Sequence, residues 1–382
     1  PQRRRRNRGR RMSRLDELIA ELCPDGVEYV SIGSIVNYEQ PSKYIVTSTN
    51  YNDDFSIPVL TAGQSFILGY TNETENLYKA SKQNPVIIFD DFTGAFKWVD
   101  FPFKVKSSAM KMLTADTEKT TLRFIFHMMG NIGFTSNEHK RLWISTYSTI
   151  SIPLPPLPVQ REIVRILDNF TELTAELTAE LTARKKQYEY YRDSLFENAE
   201  GIQITTLDKI SENCDTQRKP VTSKSRESGD IPYYGASGIV DHVKDYIFDG
   251  DYLLVSEDGA NLLARSTPIA FSISGKTWVN NHAHVLRFDE YATRRYVEMY
   301  LNSIDLSFYI TGAAQPKLNQ KNLNRIEIPL PPLPKQQRIV SILDRFDTLC
   351  NDISTGLPAE IEARQKQYEY YRDKLLTFKE LS

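Results

Sequence analysis

The chain has 382 residues, 40% of them hydrophobic and 25% charged, with a formal net charge of −2, which describes an ordinary soluble globular chain of two or three domains. No apolar run approaches the roughly 20 residues that span a bilayer and no secretory signal opens the sequence, so a membrane span and an exported precursor are set aside. Three cysteines, Cys23, Cys214 and Cys350, stand far apart without metal-ligand spacing, as suits a reducing cytoplasm.

Residues 1–11 carry seven arginines and no acid, and removing them takes the formal charge from −2 to −9. Two readings compete for this stretch, a disordered nucleic-acid-binding arm and an expression or translation leftover ahead of Met12. If the chain binds DNA, its acidic body requires local clusters of basic residues or a partner that supplies phosphate contacts.

From Ser13, the apolar positions Leu15, Leu18, Ile19 and Leu22 predict a short amphipathic helix, capped by Ser13 and stopped by Pro24. A segment of short strands and turns follows, with Ile57 to Gly63 extended, Pro85 to Phe89 as a buried strand, and Leu122 to Met129 as a helix. Then comes Ile-Pro-Leu-Pro-Pro-Leu-Pro at Ile152 to Pro158, a rigid extended leader that fixes where the next helix begins.

That helix carries a coiled-coil seam through Ile163, Ile166, Phe170, Leu173, Leu177, Leu181, Tyr188, Tyr191 and Leu195. One extra step of four falls in Thr-Ala-Glu-Leu, repeated in tandem at Thr174 to Leu177 and Thr178 to Leu181, which makes a stutter. The residues from Val159 to Phe196 predict a rod of about 57 Å.

The pattern then recurs. Ile231 to Ser237 answers Ile57 to Gly63, Asp251 to Val255 reads as a buried strand, and Arg294 to Leu301 as a helix. A second leader stands at Ile328 to Pro334, and its helix closes on Lys-Gln-Tyr-Glu-Tyr-Tyr-Arg-Asp at Lys366 to Asp373, as the first does at Lys186 to Asp193. Phe346 and Arg364 lie 18 residues apart, against 14 for Phe170 and Arg184, and Gly356 with Pro358 predicts a kink or break in the second helix. The N-terminal helix stands where the end of a long helix should stand, so it is expected beside the C-terminal helix, closing a pseudo-two-fold cyclic repeat. The predicted fold is mixed α/β (α+β), with two globular domains separated by two long antiparallel coiled-coil helices. Domain boundaries fall at 12–151 (with the helix 13–22), 152–200, 201–327 and 328–382.

Several stretches invite a chemical reading. Ala270 to Thr277 resembles a phosphate-binding loop, but the flanking residues alternate like strands, and a hairpin with Gly275 at the turn and Lys276 projecting outward fits better. Asp90-Asp91 and Glu257-Asp258 follow strands as nuclease carboxylates do, yet acids at strand ends are usually turn formers. His282 and His284 would share a strand face, with no third metal ligand nearby in sequence. No loop for a methyl donor is present. Binding remains. Gln315, Lys317 and Asn319, in Gly312 to Gln320, suit base edges and phosphates. Counting back from the leaders, the equivalent loop is Glu138 to Trp143, with Lys140 and with Arg141 in the place of Lys317. Lys97, Lys104, Lys106 and Lys111 gather in the first domain, and Lys276 adds a cation in the second.

The two leaders, the repeated helix ends and the tandem Thr-Ala-Glu-Leu make the chain resemble a specificity subunit of type I restriction and modification systems, from Met12 to Ser382. The resemblance implies two target-recognition domains, each reading one half of a split site in double-stranded DNA. It also implies helices that act as spacer and as docking surface for two modification subunits. Those partners would carry adenine methylation with S-adenosylmethionine, and restriction subunits would carry ATP- and Mg-dependent translocation and cleavage. This chain would hold no cofactor and no catalysis of its own. The competing readings are an autonomous nuclease or methyltransferase, and a coiled-coil scaffold that touches no DNA.

Overall fold

The computed structural model describes residues 13–63, 65–133, 140–197, 201–312 and 315–381; the arginine-rich stretch 1–11, and Glu138 and His139 of the first candidate loop, lie outside them. The chain divides into two compact units, Pro1–Leu177 with Ile361–Ser382, and Thr178–Glu360. In chain order the first unit holds α1 (Arg14–Leu22), β1 (Glu28–Ser31), β2 (Val36–Glu39), β3 (Ile57–Leu60), β4 (Ile67–Thr71), β5 (Val86–Asp90), β6 (Phe96–Val99), β7 (Lys104–Val105), β8 (Met110–Ala115), α2 (Leu122–Ile132) and β9 (Ser151–Leu154). It also takes α3 (Leu157–Glu197) as far as Leu177. The second unit takes the rest of α3, then β10 (Gln203–Thr206), α4 (Leu207–Ile210), β11 (Glu212–Asn213), β12 (Ser228–Gly235), β13 (Gly238–Val243), β14 (Phe248–Asp249), β15 (Tyr252–Ser256), α5 (Asn261–Ala264) and β16 (Ala270–Ile273). It continues through β17 (Lys276–Val279), β18 (Ala283–Arg287), α6 (Tyr291–Ser303), α7 (Gln320–Asn324), β19 (Glu327–Leu330) and α8 (Leu333–Asn351). It ends with the first residues of α9 (Leu357–Leu375), whose remainder belongs to the first unit. Among the described residues no helix is long and apolar enough to cross a membrane.

The shared skeleton expected of the two globular segments is present, with one extra strand, β14, in the second. The first unit has a sheet ordered β2-β8-β5-β6 and the second a sheet ordered β11-β18-β15-β16, while β4-β3-β7 answers β13-β12-β17-β14. β3 runs parallel to β7 through Val59 and Lys104, and β12 runs parallel to β17 through Tyr233 and Trp278. The apolar run Val86, Ile87, Ile88 and Phe89 is fully buried because β5 is covered on both faces.

α1 starts as its sequence predicts. The Ser13 hydroxyl accepts the Asp16 N–H, and the Asp16 carboxylate accepts the Ser13 N–H at 3.1 Å, forming a capping box. Leu15, Val27, Val159, Ile163, Leu167 and Leu376 share one core, so the N-terminal helix does pack with the C-terminal helix of its unit. The Val27 N–H donates to the Lys379 carbonyl at 2.9 Å and the Tyr29 hydroxyl to the Phe378 carbonyl at 2.9 Å. Gly26 makes this approach feasible: its φ is +122°, and a Cβ there would sit 2.5 Å from the Lys379 carbonyl oxygen. Gly26→Ala is expected to destabilise the chain by about 1–3 kcal/mol, read as a lowered midpoint in denaturant unfolding. An unchanged midpoint would mean that the C-terminal segment is not held there.

Both leaders work differently from the expectation. Their first halves are strands, β9 on β1 and β19 on β10, and their final Leu-Pro already lies in the first turn of α3 or α8. Pro158 and Pro334 are tolerated there because the first helical N–H groups have no intrahelical acceptor. Buried Gln160 and Gln336 pin the turn, donating to the carbonyls of Pro155 (2.8 Å) and Pro331 (2.7 Å). Each unit also ties its domain helix to its long helix through an arginine, Arg123 to Asp168 at 2.8 Å in the first and Arg295 to Asp344 at 2.8 Å and Asp347 at 2.6 Å in the second.

Within the second unit, α3 and α8 run antiparallel, with Tyr191 against Phe346 (ring centroids 5.8 Å apart), and Arg184 and Lys185 close to Cys350. Within the first, Phe170 stacks on Tyr371 at 5.4 Å. The predicted break is present, but it lies at Asp352 to Gly356. The Asp352 carboxylate accepts the Ser354 N–H at 2.7 Å, and Pro358 is the second residue of α9, where it breaks nothing.

Candidate nucleic-acid interface

The two candidate loops are built on the same scaffold. Asp91 follows β5 and Glu257 follows β15. The Asp91 carbonyl accepts the Leu142 N–H at 2.7 Å, and the Glu257 carbonyl accepts the Leu318 N–H at 2.8 Å. The residue just before each donor is the expected cation, Arg141 or Lys317. Its side chain returns to the same carboxylate: Lys317 Nζ lies 3.1 Å from Glu257 Oε1, and Arg141 Nη1 lies 3.8 Å from Asp91 Oδ2. Both cations remain about half exposed, 51% for Lys317 and 56% for Arg141. Arg141 therefore does stand in the place of Lys317.

The loop around Lys317 is closed on itself. Thr311 and Lys317 exchange both backbone hydrogen bonds, at 2.8 and 2.7 Å, and Gly312 turns with φ +85°. Gln315 is exposed on that turn. Asn319 is engaged within the fold, where its side chain accepts the Asn322 N–H at 3.0 Å and caps α7. Lys140 is exposed beside Arg141.

The lysines of the first unit divide. Lys106 is exposed, its ammonium 5.7 Å from the Tyr51 ring centroid, and Lys97 on β6 is half-buried opposite Ile88. Lys104 is only 4% exposed, with its ammonium 2.6 Å from Glu73 Oε2, so it is withdrawn as a phosphate contact. Burial pushes the Glu73 carboxyl up, but the Lys104 ammonium and the Thr47 and Ser48 donors outweigh it and hold the group at about 2. Lys111 is fully buried, 2.9 Å from Asp91 Oδ2 and 3.0 Å from Gln40 Oε1.

Lys276 is exposed and lies 4.6 Å from the Tyr246 ring centroid. Gly275 makes the turn before it, with φ +72°, but no hairpin forms, because β16 and β17 belong to different sheets. A strand and no helix follows Thr277, as the rejection of a phosphate loop requires.

Of the strand-end acids, Asp90 is a turn former, accepting the N–H groups of Phe92 and Thr93 at 2.9 Å each. Asp91 and Glu257 are not: they are buried and hold cations. His282 precedes β18 and pairs with Asp258 at 2.9 Å, whereas His284 is buried. Asp215, Glu257 and His284 do present ligand atoms within 4.8 Å of one another. Those atoms are already engaged, since Arg218 reaches both Glu257 Oε2 (2.6 Å) and Asp215 Oδ2 (3.3 Å), and both His284 nitrogens are bonded. A dication would have to displace them. Sequence reading missed Asp215 and Arg218, which pair locally with each other but reach His284 and Glu257, 69 and 39 residues away, contacts that leave no local pattern.

Residues 24–184 and 199–363 match the family model described as type I restriction modification DNA specificity domain. The type I restriction enzyme EcoR124I/EcoR124II specificity subunit of Escherichia coli is 44% identical over 403 aligned positions, covering 96% of this chain and 97% of that protein. Among solved structures, the S subunit of a type I restriction-modification system from M. genitalium superposes with a TM-score of 0.64 at 15% identity, covering 92% of this chain and 96% of that one. A chain from a study of complex assembly and conformational transition of the type I R-M system gives a TM-score of 0.54 at 16% identity, covering 93% of this chain and 98% of that one.

Proposed function

Because this chain belongs to the type I restriction modification DNA specificity family, we propose that it is the sequence-reading subunit of a type I restriction-modification complex, each unit's globular domain reading one half of a split site in double-stranded DNA. The observation that carries this reading is the duplicated loop: in both units a half-exposed cation stands on a buried carboxylate at the same register. Two copies of one platform bearing different residues, Arg141 with Lys140 and Lys317 with Gln315, suit two different half-sequences. Lys97, Lys106 and Lys276 are assigned to the phosphate backbone.

The helices α3, α8 and α9 are assigned as spacer and as docking surface for two modification subunits, to which restriction subunits add. S-adenosylmethionine, ATP and Mg belong to those partners in the cytoplasm, and the recognition domains correspond to 12–151 and 201–327. Asp91 and Glu257, two of the carboxylates that invited a nuclease reading, are paired with Lys111 and Arg218, which supports reading this chain as a non-catalytic subunit. The purified chain alone is expected to transfer no methyl group, and the chain with its modification subunits is expected to methylate adenine at a split site. Methyl transfer by the chain alone, or a complex without sequence preference, sinks the reading.

Replacing Lys317 and Gln315 by Ala in the assembled complex is expected to weaken binding to one half-site by about 1–3 kcal/mol and relax its base preference, because Glu257 stays paired with Arg218 and the platform survives. The other half-site, read with Arg141, keeps its preference. If competition binding against single-base variants shows no change in either half, the loop does not read DNA.

A further inference from the structure

The platforms under the two loops share a register but differ in chemistry. In the first unit Lys111 on β8 lies opposite Phe89 of β5, two residues before Asp91; in the second His284 on β18 lies opposite Val255 of β15, two residues before Glu257. Gln40 follows β2 and touches Lys111 at 3.0 Å, while Asp215 stands at the matching place after β11 and touches His284 at 2.6 Å. His284 thus occupies the position of a buried lysine.

Its hydrogen bonds specify a proton state. His284 Nε2 lies 2.7 Å from the Leu318 carbonyl oxygen, which only accepts, so Nε2 carries a proton. Nδ1 lies 2.6 Å from Asp215 Oδ2. Burial pushes the Asp215 carboxyl up, but His284, the Val285 N–H and Arg218 outweigh it and hold the group below its ordinary value. An ionised Asp215 accepts, so Nδ1 carries a proton too.

The groups facing His284 are Asp215 from the β11 side, Glu257 from β15, Arg218 between them, and Lys317 with the Leu318 carbonyl from the loop. In the first unit the buried Asp91 is paired with Lys111 at 2.9 Å, and the half-exposed Arg141, 3.8 Å away, is only a loose second counter-charge. In the second, two carboxylates face Arg218, and a neutral His284 would leave Lys317 as the second counter-charge, tied to the protein. We infer that His284 is a buried imidazolium that shares this counter-charge and fastens the Leu318 carbonyl, so that the half-exposed Lys317 ammonium can exchange its 3.1 Å contact with Glu257 for one with DNA. His284 is a positioning residue. That the loop reads DNA rests on the function proposed above; the charge of His284 does not.

Two measurements test it. Nitrogen-15 spectra of the His284 ring in the free chain at neutral pH are expected to show both nitrogens protonated, and a neutral tautomer overturns the inference whether or not the loop reads DNA. In the assembled complex, His284→Gln is expected to lower base discrimination at the half-site read by Lys317 by about tenfold, within the range of one lost base contact. His284→Lys, which restores the charge found at Lys111, is expected to keep discrimination near wild type, and both variants leave the other half-site unchanged. Equal behaviour of the Gln and Lys variants overturns the positioning role. If Lys317→Ala also leaves discrimination untouched while the ring is doubly protonated, the reading assignment has failed and the charge assignment stands.

Discussion

Inserting one further Thr-Ala-Glu-Leu after Leu181 is expected to lengthen the unread spacer between the two half-sites by one base pair while leaving both half-sequences unchanged. The tandem copies at Thr174 to Leu177 and Thr178 to Leu181 lie inside the uninterrupted helix α3, and the division between the two units falls between them. Four more residues lengthen a helix by about 6 Å and rotate its far end by about 40°. One DNA base pair advances about 3.4 Å and turns about 34–36°. Length alone would allow nearly two base pairs, but a domain that reads a groove must keep its phase, and the rotation matches one. The second helical region already carries four more residues than the first between equivalent positions, and it is broken at Asp352 to Gly356, so a one-turn difference is accommodated by this chain. Methylation mapping of the insertion variant decides the matter: an unchanged spacer would mean that α3 does not set the distance, and altered half-sequences would mean that the domains do not read independently.

Lys111→Met is expected to destabilise the first unit by about 3–5 kcal/mol, because it leaves the buried Asp91 carboxylate with only the half-exposed Arg141, 3.8 Å away. Both side chains of this pair are 1% exposed, and Asp91 Oδ1 also accepts the Trp143 N–H at 2.8 Å. Adding Asp91→Asn to the Met variant should recover much of the loss, since the amide keeps an acceptor for Trp143 and removes the buried charge. Denaturant unfolding of the two variants measures both effects. A cost under about 1 kcal/mol for the single variant would mean that Asp91 finds water or another cation.

Much of this architecture is legible from local pattern. Helix positions follow from apolar periodicity and proline, both of which act within a few residues, so α1, α2, α3 and α6 lie where the sequence predicts them. The leaders show the limit of that logic. Proline excludes helix interior and central strand, yet β9 and β19 are two-strand edges and the last leader proline sits in a first helical turn, both of which tolerate it.

The sequence by itself determined the duplication, the order of elements in each copy, the break in the second helical region, and the equivalence of Arg141 with Lys317, because repeats and spacings survive without coordinates. Only the tertiary structure decided which charges face water. Lys97, Lys104, Lys106 and Lys111 look alike as letters, but Lys104 meets Glu73, 31 residues away, and Lys111 meets Asp91, while Lys106 stays exposed. The same holds for Asn319, held as a helix cap, and for Gly275, whose turn joins two different sheets. A charged or polar side chain is set by the partner that replaces its water, and that partner is a neighbour in space whose distance along the chain carries no pattern.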